Sequence, residues 1–369
     1  MKHGYLFLVA LLFVSTGYGQ ENILLEEYMP KSIYKIPETK VEKAKYPVID
    51  AHSHDYPSSL EEVAQWVKTM DRKGIEKTVV LTGYTGASFD SIVEVYAPYK
   101  DRFDLWCGLD LSDYGKSSFV KTAVEELKRC HKMGAKGVGE VTDKGLGVYV
   151  AFQTNMAEGI HLNDPLMSPI YETCAELGMP LNIHVAEPYW MYLPDDKYND
   201  GLMNGKKWKI DMSIPGMQSH EQLIAQFSEA VKNHPNTLIA QFSEAVKNHP
   251  NTLFVACHFI NCSYDLSIVG RLLDEYSNLY VDMSARFGET ASIPRYMRKF
   301  YTRYADRILY GTDNGMSAEM YETTFRILET DDEHFYVPDY HYHWYYSGFD
   351  LPDEVLRKIY RENFIRIMK

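Results

Sequence analysis

Short apolar runs rich in β-branched residues alternate with amphipathic stretches along almost the whole chain, and that alternation narrows the fold more than any other feature. The strand-like runs close at His54 and then fall at 77–82, 103–110, 135–140, 180–185, 253–258, 278–284 and 307–313. Helical spacing of apolar residues fills the gaps. The first helix, 60–70, has Ser58 or Ser59 to start it and Gly74 to stop it; others are predicted at 91–99, 119–133, 166–177, 265–276, 291–304, 317–329 and 352–368. Strands separated by helices pair in parallel, because each helix returns the chain to the same edge of the sheet. Eight such units predict an α/β (β/α)8 TIM barrel, for which 369 residues suffice. An open doubly wound sheet is the alternative, but no glycine-rich fingerprint follows the first strand.

The ends of the chain suggest further organisation. Lys2, an apolar run at 5–14 and the small residues before Gln20 read as a signal peptide over 1–19, too short for a bilayer anchor. An exported protein, periplasmic or secreted, is therefore expected. Residues 20–46 are polar and broken by proline, an N-terminal arm leading to a domain at 47–369. A net charge of −13 argues against nucleic acid or an anionic membrane surface as partner. A homo-oligomer is compatible with this reading. The five cysteines (Cys107, Cys130, Cys174, Cys257 and Cys262) show no disulfide framework, and Cys107 and Cys257 read as small core residues. Residues 223–237 recur letter for letter as 238–252. The second copy runs into the sixth strand and is expected to fill the helix position there, leaving the first to bulge out.

In a parallel barrel all strand C-termini lie on one face, where the active site is built. The polar residues predicted at those ends are His52 and His54 on the first strand, Glu140 on the fourth, His184 on the fifth, His258 on the sixth and Asp313 on the eighth. Residues two apart on a strand share a face, so His52 and His54 aim at one point. Imidazoles and carboxylates without a thiolate suit a divalent metal, with zinc the default and manganese, iron or nickel also compatible, as one or two ions. Such a cation lowers the pKa of water to near 7. Attack on a carbonyl then calls for a base, such as Asp313, and a group facing the developing oxyanion, such as His258.

This ordered set, His52-x-His54, His184, His258 and Asp313, resembles the amidohydrolase superfamily. More narrowly, the chain resembles the amidohydrolase-related family of hydrolases, lactonases and metal-dependent decarboxylases. The resemblance extends over 47–369 and includes Gly137-Val138-Gly139-Glu140 and Tyr310-Gly311-Thr312-Asp313. It implies that His52, His54, His184 and Asp313 hold metal, with Asp313 taking the proton from the attacking water. It makes His258 either a ligand of a second ion or a proton shuttle. Glu140 either bridges two ions or orients a ligand through a hydrogen bond, with Lys144 or an imidazole as its partner.

Substrate contacts are expected from the long aromatic loops after the fifth and eighth strands, where Trp190 and Tyr192 are candidates. Arg286, after the seventh strand, is the candidate cation for a substrate carboxylate, with a salt bridge to Glu289 as the alternative. His341 and His343 repeat the His-x-His spacing outside any strand. The expected function is metal-dependent hydrolysis of an ester, lactone or amide in a small molecule. Non-oxidative decarboxylation is the alternative, and a non-catalytic metal-binding protein the third reading.

Overall fold

The computed structural model describes residues 23–24, 27–205, 208–233, 252–337 and 343–369. The leader read over 1–19, Lys207, His341 and the second tandem copy up to 251 lie outside the described residues. The strands are β1 (Val48–His54), β2 (Ile75–Leu81), β3 (Phe103–Trp106), β4 (Val138–Asp143), β5 (Gly147–Val150), β6 (Met156–Glu158), β7 (Leu181–Val185), β8 (Phe254–Ala256), β9 (Leu279–Asp282) and β10 (Ile308–Leu309). Parallel pairing runs β1-β2-β3 and β10-β9-β8-β7-β4. A parallel bridge between Cys107 and Val138 joins β3 to β4. The Ala51 amide donates to Tyr310 O at 2.9 Å and that of Asp313 to His52 O at 2.9 Å, joining β10 back to β1. The result is a TIM barrel. Ile49, Ala51, Val79, Leu81, Trp106, Val255, Tyr280 and Leu309 form an apolar cluster of their own, joined by Phe364 from the end of the chain.

The helices are α1 (Leu60–Lys73), α2 (Gly86–Tyr96), α3 (Phe119–Lys132), α4 (Ser168–Glu176), α5 (Leu202–Gly205), α6 (His220–Asn233), α7 (Leu266–Glu275), α8 (Phe287–Thr290), α9 (Pro294–Arg303), α10 (Ala318–Glu329), α11 (Asp353–Arg357) and α12 (Asn363–Ile367). α1 shows how local chemistry sets their ends. Ser59 accepts from the Glu62 amide, and Glu62 reaches back to the Ser58 amide at 2.6 Å. Such a cap contributes about 1 kcal/mol. Gly74 ends the helix at φ 81°, a left-handed turn that glycine adopts without Cβ strain. Val63, Trp66, Val67 and Met70 form the buried face between these ends.

Three expectations change. β4 does not stop at Glu140 but runs on to Asp143 and into an antiparallel hairpin, β5–β6, which no helix-period or strand-period signal separated from its surroundings. The predicted helix 291–304 begins only at Pro294, which favours a first helical position. The first tandem copy, expected to bulge out, instead forms a helix packed on the barrel: Leu223, Ile224, Phe227, Ala230 and Val231 of α6 are buried. Ser219 caps the Gln222 amide, while the Gln222 side chain accepts from the Ser219 amide at 2.8 Å. That box precedes only the first copy.

Candidate metal centre

Two irregularities in the strands aim the site residues inward. Asp50 pairs with Thr78, but Ser53 pairs with Val80, so β1 carries one extra residue. This bulge resets the in–out alternation. Ile49 and Ala51 can then join the inner cluster while His52 and His54 also face the centre, and Asp50 turns toward Thr312 and Tyr321. β4 has the same irregularity between Val138 and Val141, and there Glu140 turns to the centre. Beyond β7, β8, β9 and the last strand, Ala186, His258, Ala285 and Asp313 all adopt left-handed backbone, at φ 58°, 57°, 54° and 60°. Four non-glycine residues in this conformation at one rim are costly, and strain of this kind gathers at functional sites.

The side chains converge closely. Asp313 Oδ1 lies 3.0 Å from His54 Nε2 and 3.6 Å from His52 Nε2. Glu140 Oε1 accepts from His184 Nδ1 at 2.5 Å and lies 3.5 Å from His258 Nε2, while Oε2 is 3.4 Å from His54 Nε2. Three imidazoles have their outer nitrogens committed: His52 Nδ1 to Asp282 Oδ2 at 2.9 Å, His54 Nδ1 to Leu81 O at 3.1 Å and His258 Nδ1 to Ser284 O at 2.9 Å. A carbonyl can only accept, so Nδ1 of His54 and of His258 carries the proton. Their neutral forms therefore present an Nε2 lone pair to the centre. Burial raises the cost of charge on Glu140 and Asp313, but the surrounding imidazoles outweigh it and hold both carboxyls well below the usual range. Burial lowers the pKa of His258.

The donors fit a divalent cation. The Nε2 atoms of His52 and His184 are buried with no hydrogen-bond partner, a costly state for a polar atom unless it has a ligand. Among the described residues, two overlapping groups bring their ligand atoms within 4.8 Å of one another: His52, His54 and Asp313, and His52, Glu140, Cys257 and His258. Cys257 Sγ donates to Asn182 Oδ1 at 2.7 Å, and burial pushes its pKa well up.

A family model described as Amidohydrolase matches residues 40–367. The chain belongs to that family. No curated protein sequence matches it. Among solved structures, it is similar to 2,6-dihydroxybenzoate decarboxylase from Rhizobium, at 16% identity and a TM-score of 0.51 over 88% of this chain and 98% of that one. A 5-carboxyvanillate decarboxylase from Novosphingobium aromaticivorans, complexed with manganese and 4-hydroxy-3-methoxy-5-nitrobenzoic acid, aligns at 14% identity and 0.51 over 90% and 99%. An uncharacterized TIM-barrel protein from Bordetella bronchiseptica aligns at 14% and 0.51 over 87% and 98%. At these identities the likeness is one of fold.

The amidohydrolase fold thus brings His52, His54, Glu140, His184, His258 and Asp313 into one cluster. Lys144 pairs with Glu187, and of the two partners expected for Glu140 it is the imidazole, that of His184, which donates to it. Arg286 is buried, with Nε donating to Asn261 Oδ1 at 2.9 Å and Nη1 3.5 Å from Glu289 Oε1. Trp190 Nε1 donates to the same Glu289 oxygen at 3.3 Å, and the Tyr192 hydroxyl accepts from the Glu187 amide at 3.3 Å. His343 packs on Trp344 and is in neither donor group.

Two residues escaped the sequence reading. Asp282 is fully buried and accepts from His52 Nδ1, from the His258 amide at 3.0 Å and from the Ser284 amide at 3.1 Å. Asn261 donates to Val185 O and Ala186 O and accepts from Arg286, tying three strand ends together. A carboxylate closing the apolar run Leu279-Tyr280-Val281 was a readable signal for Asp282. Nothing local marked Asn261.

Proposed function

We propose that the protein is a metal-dependent hydrolase of an ester, lactone or amide bond in a small molecule. The observation that carries this reading is the position of Asp313. Its side chain is 29% exposed, whereas those of His52 and His54 beside it are 0% and 8% exposed. It is the ionised group that both touches the imidazole pair and reaches solvent, as a base acting on water must. His52, His54, His184 and Asp313 would hold the cation, zinc on the chemistry of the donors, with Glu140 and His258 able to complete a second set. When bound, the cation supplies an acidified water and polarises the scissile carbonyl. Asp313 would take a proton from an attacking water and return it to the leaving group. His258, its Nδ1 proton given to Ser284 O, turns an Nε2 lone pair to the centre and would serve there as a ligand of a second ion or as a proton acceptor, facing the carbonyl oxygen only once protonated. Arg286, paired with Glu289, remains the candidate cation for a substrate carboxylate, and Trp190 and Tyr192 the candidate substrate contacts. Export of the enzyme, supported by the apolar run at 5–14, is part of this reading.

A second reading is non-oxidative decarboxylation, with manganese in place of zinc. It is favoured by the named solved neighbours, one of them a manganese complex. The deciding experiment assays lactone, ester and amide panels beside aromatic and enoic acids, on protein of measured metal content. Acid release with no carbon dioxide supports hydrolysis. Carbon dioxide release without ester, lactone or amide turnover replaces it with the second reading.

A further inference from the structure

The hairpin that interrupts the barrel order places an aromatic side chain over the centre in a way that packing does not require. Phe152, between β5 and β6, is 54% exposed. Its ring meets His54 edge to face, with centroids 5.0 Å apart. Its backbone sits at φ 66°, a left-handed conformation that is unfavourable for a residue with a Cβ. An exposed ring recovers little of that cost through burial.

The turn is nonetheless held from both sides. The Ala151 amide donates to Glu140 O at 3.2 Å. The Gln153 side chain donates to Gly83 O at 2.5 Å and to Leu109 O at 3.2 Å. Gly83 admits the turn because a Cβ there would lie 2.1 Å from Ala151 O. Across His54 from this ring stands Tyr56, itself 41% exposed, with ring centroids 6.1 Å apart and its hydroxyl donating to Asp313 O at 2.6 Å. Three strand ends therefore fix a strained, solvent-facing ring beside the donor cluster.

We propose that Phe152 is a specificity-determining residue: its ring is a wall of the substrate pocket that selects ligands presenting a flat, unsaturated face next to the group held at the centre. The inference rests on the proposed site but not on which bond is cleaved there. Aromatic faces stack offset or edge to face, and a saturated ring of equal size cannot reproduce that contact. The strain at Phe152 is then retained for binding rather than for the fold.

The experiment is calorimetric titration of the metal-loaded protein with benzoate and with cyclohexanecarboxylate, comparing the unmodified chain with Phe152→Ala and Phe152→Gly. The unmodified protein is expected to bind benzoate about 3–10-fold more tightly, from a ring–ring contact of about 0.5–1.5 kcal/mol. Both variants are expected to lose that preference while keeping their metal content. Phe152→Gly is also expected to melt no lower than the unmodified chain, because glycine relieves the left-handed strain. Equal affinities in the unmodified protein, no binding of either acid, or an undiminished preference in the variants overturns the proposal. A clear fall in melting temperature for Phe152→Gly overturns it too, by making the ring structural. Failure of the hydrolase reading would show instead in the turnover panels and leave these affinity ratios unchanged.

Discussion

Asp282 holds the His52 imidazole and the backbone that carries His258, which come from strands that do not neighbour each other. Its carboxylate takes the His52 Nδ1 proton and the His258 amide proton, and Ser284 adds a third hydrogen bond. Asp282→Asn keeps the volume but can no longer accept at both oxygens. Metal affinity is expected to fall about 10–100-fold with little change in fold, measured by metal retention during dialysis against a chelator. Full retention would reduce Asp282 to a packing role. Asp313→Asn is a sharper test of chemistry. Turnover is expected to drop by about 10²–10⁴-fold with circular dichroism unchanged, since the base is lost and the shape is not. Activity like that of the unmodified enzyme would remove Asp313 from the mechanism.

At the scale of elements, the end of β4 and the hairpin are joined by an ion pair that responds to pH. His161 Nδ1 donates to Asp143 Oδ2 at 2.8 Å, and Asp143 also accepts from the Gly145 amide at 3.0 Å. The hydrogen bond from Asp143 raises the His161 pKa above 6.5. A group whose folded pKa is raised adds stability that is fully present below the unfolded value and disappears as pH climbs through the folded one. The melting temperature of the unmodified protein should therefore exceed that of His161→Phe most below about pH 6.5. The gap should narrow as the solution becomes alkaline, and a gap independent of pH would show that the pair carries no charge. For α6, removal of residues 238–252 leaves the Ser219 cap and the whole described helix in place. Folding and turnover are expected to survive that deletion. An insoluble or unfolded product would show that the second copy is required.

For the whole molecule, the centre joins β1, β4, β7, the turn after β8 and the strand at which the barrel closes, so a cation there cross-links distant parts of the chain. A ligand that binds only the folded state stabilises it in proportion to the logarithm of its excess, about 2.7 kcal/mol at a hundred times Kd. Zinc or manganese added to chelator-treated protein should raise the melting temperature progressively with concentration. Magnesium, which favours an all-oxygen shell, should do so least. Equal shifts with every divalent ion would point to surface binding instead of this site.

How far the sequence alone led follows from which interactions are local. Strand and helix periods, the Ser59 and Gly74 caps and the polar residues ending apolar runs are properties of neighbouring residues, and they were enough to read a TIM barrel and to name His52, His54, Glu140, His184, His258 and Asp313. The β1 bulge, the inward turn of Glu140, the left-handed strand ends and the roles of Asp282 and Asn261 were not legible, because each is set by a partner far along the chain. The hairpin was missed because a three- or four-residue strand carries too little pattern to stand out. The first tandem copy shows the same division. Its apolar spacing called for a helix, whereas the cap at Ser219 and the buried face available on the barrel fixed where α6 begins and what it packs against. The sequence determined which side chains are available for metal chemistry. Only the tertiary structure decided which atoms meet, because distances among residues on eight strands depend on how the barrel closes.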